Sequence, residues 1–524
     1  MHLITWSWVF LFLYVALMLV VGFLGSRKVS NADDFATARS GYGPVFLAFA
    51  FAATTASGAT FLGGPGLVYE LGLANVWAGF LYPIGVYFGL LISMRLIATS
   101  GNRLGCRSIA EYLGRRYQSE GIRVMVSVFS LVLFFYLAGQ LVSGLVMFET
   151  MLGLKPFWAL IITTVVLLFY VVMGGAHADI LTDGIQGIMM LLVAITVILL
   201  AAFGTGIEGG FAGLWDSLAT QDPVLVEAVN PGNALTHSWW SIVSILFACI
   251  PLGLLPHLGN KLWALRDLNQ QKTFVKLAFT FGLTLGMMGV GGLLARALLG
   301  SSLLEEDATT NQALPLVFIE IFPTWLAALI GMGVLAAIMS TADGLVVSSS
   351  QIIANDLYRL TIAPRLRDPP TGARLDQQVL KISRITTVIV LLLTMMLAWS
   401  LMDTNIALII WIGTGGLMAA FAGPLVMGAL WRGVTRTGAY AGLAGGFITF
   451  VVLHGQFLEP GWFGTSGVLS DLVSWIHEEG PNPFSCAAMG EAVSISVTFL
   501  VSRCTRSLPE DHVREMFSPA GEEQ

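Results

Sequence analysis

The sequence predicts an all-α integral membrane protein of about thirteen transmembrane helices. Three observations carry that expectation. Only 11% of the 524 residues are charged and 56% are hydrophobic, whereas soluble domains carry about 25% charged residues. Uncharged apolar runs occupy 6–24, 185–206, 386–401 and 406–430, close to the roughly 20 residues that a spanning helix needs. The basic residues gather in alternate connections, as they do in polytopic membrane proteins. The 58 glycines suit helices that pack closely in lipid.

Apolar periodicity places the helices at about 4–25, 45–69, 75–97, 122–152, 156–174, 182–206, 237–261, 272–298, 323–355, 379–402, 405–431, 436–456 and 485–503. The first is not a cleaved signal, because its basic residues, Arg27 and Lys28, follow the apolar stretch. Basic residues then alternate with acidic ones. Arg27, Lys28 and Arg39 follow the first helix, and Arg103, Arg107, Arg115, Arg116 and Arg123 follow the third. The connection 207–236 holds only acids, Glu208, Asp216, Asp222 and Glu227, and Lys261, Arg266, Lys272 and Lys276 fall on the opposite side. After the eighth helix come Glu305, Glu306 and Asp307, then a basic stretch from Arg359 to Arg384, then Arg432, Arg436, Arg503, Arg506 and Arg514. Of the 26 Lys and Arg, only Lys155 and Arg296 break the pattern. The expectation is a multi-pass protein of the cell (inner) membrane with its N-terminus outside and its C-terminus cytoplasmic.

No soluble domain of useful size is expected among the connections, and 108–118 reads as a short amphipathic cytoplasmic helix. Cys106, Cys249, Cys486 and Cys504 lack metal or redox spacing. The net charge of −6 decides little, and nothing points to nucleic acid. The partners are the bilayer and a small solute, with a single chain as the functional unit.

Two helices should break. In the second, Ala52-Ala53-Thr54-Thr55-Ala56-Ser57-Gly58-Ala59-Thr60 is small and polar and leads into Gly63-Gly64-Pro65-Gly66. Proline removes a donor and glycine costs order. The seventh carries Pro251, Gly253, Pro256 and Gly259. Singly these read as proline kinks. As a pair five helices apart, they start on opposite sides of the membrane and mark two five-helix units of inverted topology, with a binding site near the midplane. The expected organisation is a flanking helix and loop at 1–44, a first repeat at 45–206, an extracellular loop at 207–236, a second repeat at 237–431, two flanking helices at 432–506 and a polar, loose tail at 507–524. In the ninth helix Ala337, Ser340, Thr341, Gly344 and Ser348 share one face. That stripe suits close packing, and equally a cation held by hydroxyls and freed carbonyls.

At these residues the sequence resembles the sodium/solute symporter family. The match rests on Phe61-Leu62-Gly63-Gly64-Pro65-Gly66, Ser108-Ile109-Ala110-Glu111-Tyr112, Gly174-Gly175 with Thr182-Asp183-Gly184-Ile185-Gln186-Gly187, Pro256-His257, Ala337-Ile338-Met339-Ser340-Thr341 with Ser348-Ser349, and Asp356-Leu357-Tyr358. It covers about residues 1–450 and implies the LeuT fold with flanking helices. The resemblance implies a sodium site from the carbonyls of Ala53, Ala56 and Ala337 and the hydroxyls of Ser340 and Thr341, with Asp183 on the ion's exit path; an interfacial helix cap is the structural alternative for Asp183. Where relatives that bind amino acids or sugars often carry aromatic residues before Pro-His, this chain has Ala248 and Leu252. The blocks look most like the pantothenate permease branch, with monocarboxylate carriers as its neighbours. That implies a small organic anion met by a half-helix N-terminus and by Thr54, Ser57 or Gln140, since Arg296 lies near an outer helix end.

Asp343 is an intramembrane acid and so a functional candidate. It sits about 110° from the centre of the small-residue stripe, which allows either a water-lined path and proton coupling or a structural salt bridge. The function expected is sodium-coupled import of a small organic acid. The alternative is sodium- or proton-coupled symport of an amino acid such as proline, or of another small solute, and a sensor or an enzyme stands behind both. No HExxH, GxSxG or phosphate loop occurs, and Gly204-Thr205-Gly206-Ile207-Glu208-Gly209 follows a helix rather than a strand, so it is no dinucleotide fingerprint.

Overall fold

The computed structural model describes residues 2–29, 32–306, 308–463 and 466–518. Asp307 and the tail end 519–524 lie outside the described residues. The architecture is all-helical. Ten described helices are long and apolar enough to cross a membrane, or eleven if the bent pair Trp239–Leu254 and Pro256–Ala264 counts as one span. Pro44–Thr55 and Pro156–Leu168 are apolar but shorter. The count of thirteen thus exceeds what length and composition establish, because some expected spans are broken or short.

Burial separates an inner bundle from its wrapping. In the most apolar windows, 89% of Ile406–Leu430 and 78% of Thr324–Arg365 are buried, against 33% of Leu3–Ser26 and 39% of Gly372–Ser400. The outer helices expose their leucines, isoleucines and phenylalanines to where lipid lies. The inner ones hide alanines, glycines and hydroxyls, which let backbones approach.

Both expected breaks occur. Pro44–Thr55 ends where Ala56 turns extended at ψ 110°, and the chain resumes helically over Ala59–Gly63 and Gly64–Leu71. The Gly63–Gly66 run stays helical, with Pro65 in a first turn where its missing N–H costs nothing. The break is therefore in the small polar run upstream. The second broken helix bends by 52° at Leu255, the residue before Pro256, since proline pushes its predecessor out of the helical region. The two broken helices are tied together at one end: Tyr42 pairs with Leu265, with the Tyr42 N–H bonded to Ala264 O at 3.0 Å and the Arg266 N–H to Tyr42 O at 2.9 Å.

Two sequence boundaries shift. The helix expected from 182 already runs from Gly175, whose φ of +55° bends it away from the preceding helix. This left-handed position suits glycine, and the shift adds two turns ahead of Asp183. The tail is also ordered to 518. Glu510–Phe517 is helical, Met516 is buried, and His512 Nε2 lies 3.0 Å from Arg116 O. The amphipathic helix expected at 108–118 spans Ile109–Arg116, capped by Ser108, which accepts from the Glu111 N–H at 2.9 Å.

Candidate functional site

The first break lies against the stripe of the Thr324–Gln351 helix. The Ser340 hydroxyl is 3.0 Å from Ala53 O and 3.1 Å from Ala337 O. The Thr341 hydroxyl is 3.1 Å from Thr54 O and 3.4 Å from Ala337 O. All of these residues are buried. A broken helix leaves carbonyls that no downstream N–H takes up, and here two hydroxyls meet them. The same hydroxyl oxygens retain lone pairs, so five oxygens converge that could accept a hard cation once the hydroxyl protons turn aside. Ala56 sits at the end of this turn, buried, with its N–H on Ala52 O at 2.9 Å.

A charged cluster adjoins this set. Asp183 is fully buried and accepts from the Thr54 hydroxyl at 2.6 Å. Lys261, 4% exposed, reaches Asp179 Oδ2 at 2.9 Å and Thr54 Oγ1 at 2.6 Å and pairs with Asp183 Oδ2. Carboxylate oxygens of Asp179, Asp183 and Asp343 all lie within 4.8 Å of one another. Beside the cluster, a cavity of about 20 Å³ is lined by Thr37, Asp179, His257, Lys261, Gly344 and Ser348, among others, enough for about one water.

On the other side of the break, a cavity of about 60 Å³ is lined by Ser57, Thr60, Asn75, Tyr82, Trp411 and Phe484, with small residues between them. Gln140 closes the break itself: its Oε1 accepts the Gly58 N–H at 3.1 Å, while its buried Nε2 has no partner among the described residues. Gly58 is required there, since an added Cβ would lie 2.6 Å from Ser143 Cβ.

The sequence-predicted residues thus divide. Ala53, Ala337, Ser340 and Thr341 come together. Thr54 turns its hydroxyl toward Asp183 and Lys261, away from the 60 Å³ cavity, which Ser57 lines. Ala248 and Leu252 are buried at the second break but line neither cavity. Asp343, given a role apart from Asp183 in the sequence, lies within the same acidic group. Lys261, counted among the loop cations, is instead a buried partner of that group. It lies in the helical turns after the second break, and its place five residues beyond Pro256 was the available signal. Asp179 shares the face of Asp183 one turn earlier and was hidden by the late helix start. Asn75, Tyr82, Trp411 and Phe484 carried no sequence pattern of their own.

The family model for the sodium:solute symporter family matches residues 35–446. The chain belongs to that family. Among curated family relatives, it is 28% identical over 412 residues to a sodium/pantothenate symporter of Haemophilus influenzae, covering 78% of this chain and 81% of the relative. It is 25% identical over 516 residues to a sodium/proline symporter of Staphylococcus aureus, covering 95% and 93%. Among solved structures, a Na+-coupled sialic acid symporter in an outward-open state superposes with a TM-score of 0.74 at 18% identity, over 96% of this chain and 98% of that one. That likeness establishes the LeuT-type fold of this sodium:solute symporter family member.

Proposed function

We propose that this protein imports a small organic solute bearing a carboxylate, driven by sodium and working by alternating access. The observation that carries the reading is the meeting of Ser340 and Thr341 with the freed carbonyls of Ala53 and Thr54 across the first break. Sodium binds in this oxygen set, with Ala56 and Ala337 completing it, and draws the two sides of the break together. The solute docks on the other side of the same break, against Ser57, Thr60, Asn75 and Tyr82, beneath Trp411 and Phe484. Its carboxylate meets the Ser57 and Thr60 side chains at the positive end of the helix that resumes after Gly58. A cavity of about 60 Å³ is far below the roughly 300 Å³ lower bound of common ligand sites, so the walls part to admit the solute. Sodium leaves past Asp183 and the small cavity beside Lys261.

The pantothenate symporters of Haemophilus influenzae and Escherichia coli among the relatives support a pantothenate-like acid, with a short monocarboxylate as the neighbouring choice that the sequence blocks suggest. The proline symporters, aligned over nearly the whole chain, support proline as the second reading. Repeats at 45–206 and 237–431, flanking segments at 1–44 and 432–506, an N-terminus outside a bacterial inner membrane, and a single chain that transports without catalysing complete the proposal. The alternation of basic and acidic connections supports this orientation.

Uptake into proteoliposomes of labelled pantothenate, acetate, pyruvate, lactate and proline tests it. Each is run with an inward sodium gradient and with potassium in its place. Sodium-driven accumulation of an acid supports the reading, and accumulation of proline alone selects the second. Accumulation driven only by protons overturns sodium coupling.

A further inference from the structure

Ion binding by the hydroxyl–carbonyl set leaves Lys261 unexplained. A lysine ammonium is costly to bury unless it is paired. Here it is paired at the edge of the sodium set: its partner Thr54 supplies, through its own carbonyl, one of the oxygens that Thr341 meets. Three carboxylates converge on this spot. Asp179 Oδ1 and Asp183 Oδ1 are buried and have no hydrogen-bond partner among the described residues, so one ammonium leaves acceptor capacity on both acids. The lysine is held by a short helical segment after the second break, so it moves with that helix rather than with the stripe.

We propose that the Lys261 ammonium is a tethered cation competing with sodium for Asp183, filling the acidic end of the ion path when sodium is absent. This rests on the sodium reading above and adds a residue that sets ion affinity. With Lys261 seated, the ammonium offsets the charge of Asp183 through Oδ2, and sodium approaching the open Oδ1 meets a like charge. When the ion is held by Ser340 and Thr341, its charge repels the ammonium across Thr54, and when the second broken helix returns the ammonium, it displaces the ion toward the small cavity. Lys261 thereby weakens sodium binding and speeds sodium release. No proton need move, since the ammonium and the ion carry the same charge.

The test is binding of radiolabelled sodium to the purified full-length protein in detergent, with choline balancing ionic strength. Removing the competing charge in K261Q should lower half-saturating sodium roughly tenfold, within the span of ordinary coupling between sites, whereas K261R keeps the charge and stays near wild type. The gain should vanish in D183N/K261Q. Because the uncompensated acids of K261Q are then met by the ion, sodium should raise its melting temperature more than that of wild type. Saturable wild-type binding with unchanged or weaker binding by folded K261Q overturns this inference alone, as does equal tightening in K261R. Absence of saturable binding in both wild type and K261Q overturns the sodium reading together with it.

Discussion

The Ser340 hydroxyl lies 3.0 Å from the carbonyl oxygen of Ala53, across a helix break and 287 positions away in sequence. Thr341 repeats the contact one residue on, at Thr54. These two bonds register the stripe of one helix on the opened backbone of another, and they define where an ion can sit.

Replacing both hydroxyls should therefore act on the ion before the fold. In S340A/T341A the carbonyls of Ala53 and Thr54 lose their partners and the ion loses two ligands. A hydrogen bond to a charged group is worth about 1.5–3 kcal/mol, so half-maximal sodium for uptake should rise at least about tenfold. Sodium-dependence curves from cells expressing equal amounts of folded protein check this, and an unchanged curve refutes the site.

Gly58 sits where no side chain fits, its would-be Cβ 2.0 Å from Ser143 Oγ and 2.6 Å from Ser143 Cβ. G58A should push the break away from Gln140 and abolish most uptake, with an overpacking cost of about 1–3 kcal/mol. Adding S143G removes the clashing hydroxymethyl and should restore part of both. Uptake and thermal unfolding of the single and double variants measure the rescue.

Glu479 ends the Val468–Glu479 helix and is fully buried against His237 Nε2 at 3.1 Å, with the Ser241 hydroxyl 3.3 Å from Oε1. Ser241 lies in the first turn of Trp239–Ala248, so this carboxylate fastens a surface helix to the start of the second broken helix. E479A should leave the buried partners unmet and cost about 1–3 kcal/mol, read as a lowered melting temperature. E479Q, which keeps the shape and one acceptor, should lose less.

Asp33 holds the segment before the first broken helix. Its carboxylate receives Arg39 Nε and Nη2, each at 2.8 Å, and Arg107 Nε lies at 3.5 Å. Burial works to raise this carboxyl, but the Arg39 hydrogen bonds and charge, with Arg107 behind them, outweigh it and hold it below its ordinary value. A carboxyl depressed in the folded state contributes stability above its unfolded value of about 3.9, and loses that contribution as pH falls through the folded value. The melting-temperature advantage of wild type over D33N should be constant near neutral pH and shrink below about pH 4. An advantage that persists unchanged into acid would show that packing, not charge, holds this segment.

The sequence by itself determined the solvent, the helical class and the location of both breaks. Hydropathy, proline and glycine act locally, through the bilayer's demand that each backbone group be bonded, and so can be read one segment at a time. It also determined the hydroxyl stripe, because Ala337, Ser340 and Thr341 recur at helical spacing. Tertiary structure alone decided which groups meet. Asp179, Asp183, Lys261 and Asp343 come from three separated helical segments, and no spacing rule links them. Sequence alone makes Lys261 a loop cation, because composition records a charge and not its partner, and burying an ammonium is tolerable only where distant carboxylates are already in place. The cavity lined by Trp411 and Phe484 is likewise a product of packing: Ser57, Asn75, Tyr82, Gly286, Trp411 and Phe484 line one space only after helices far apart in the chain have closed around it.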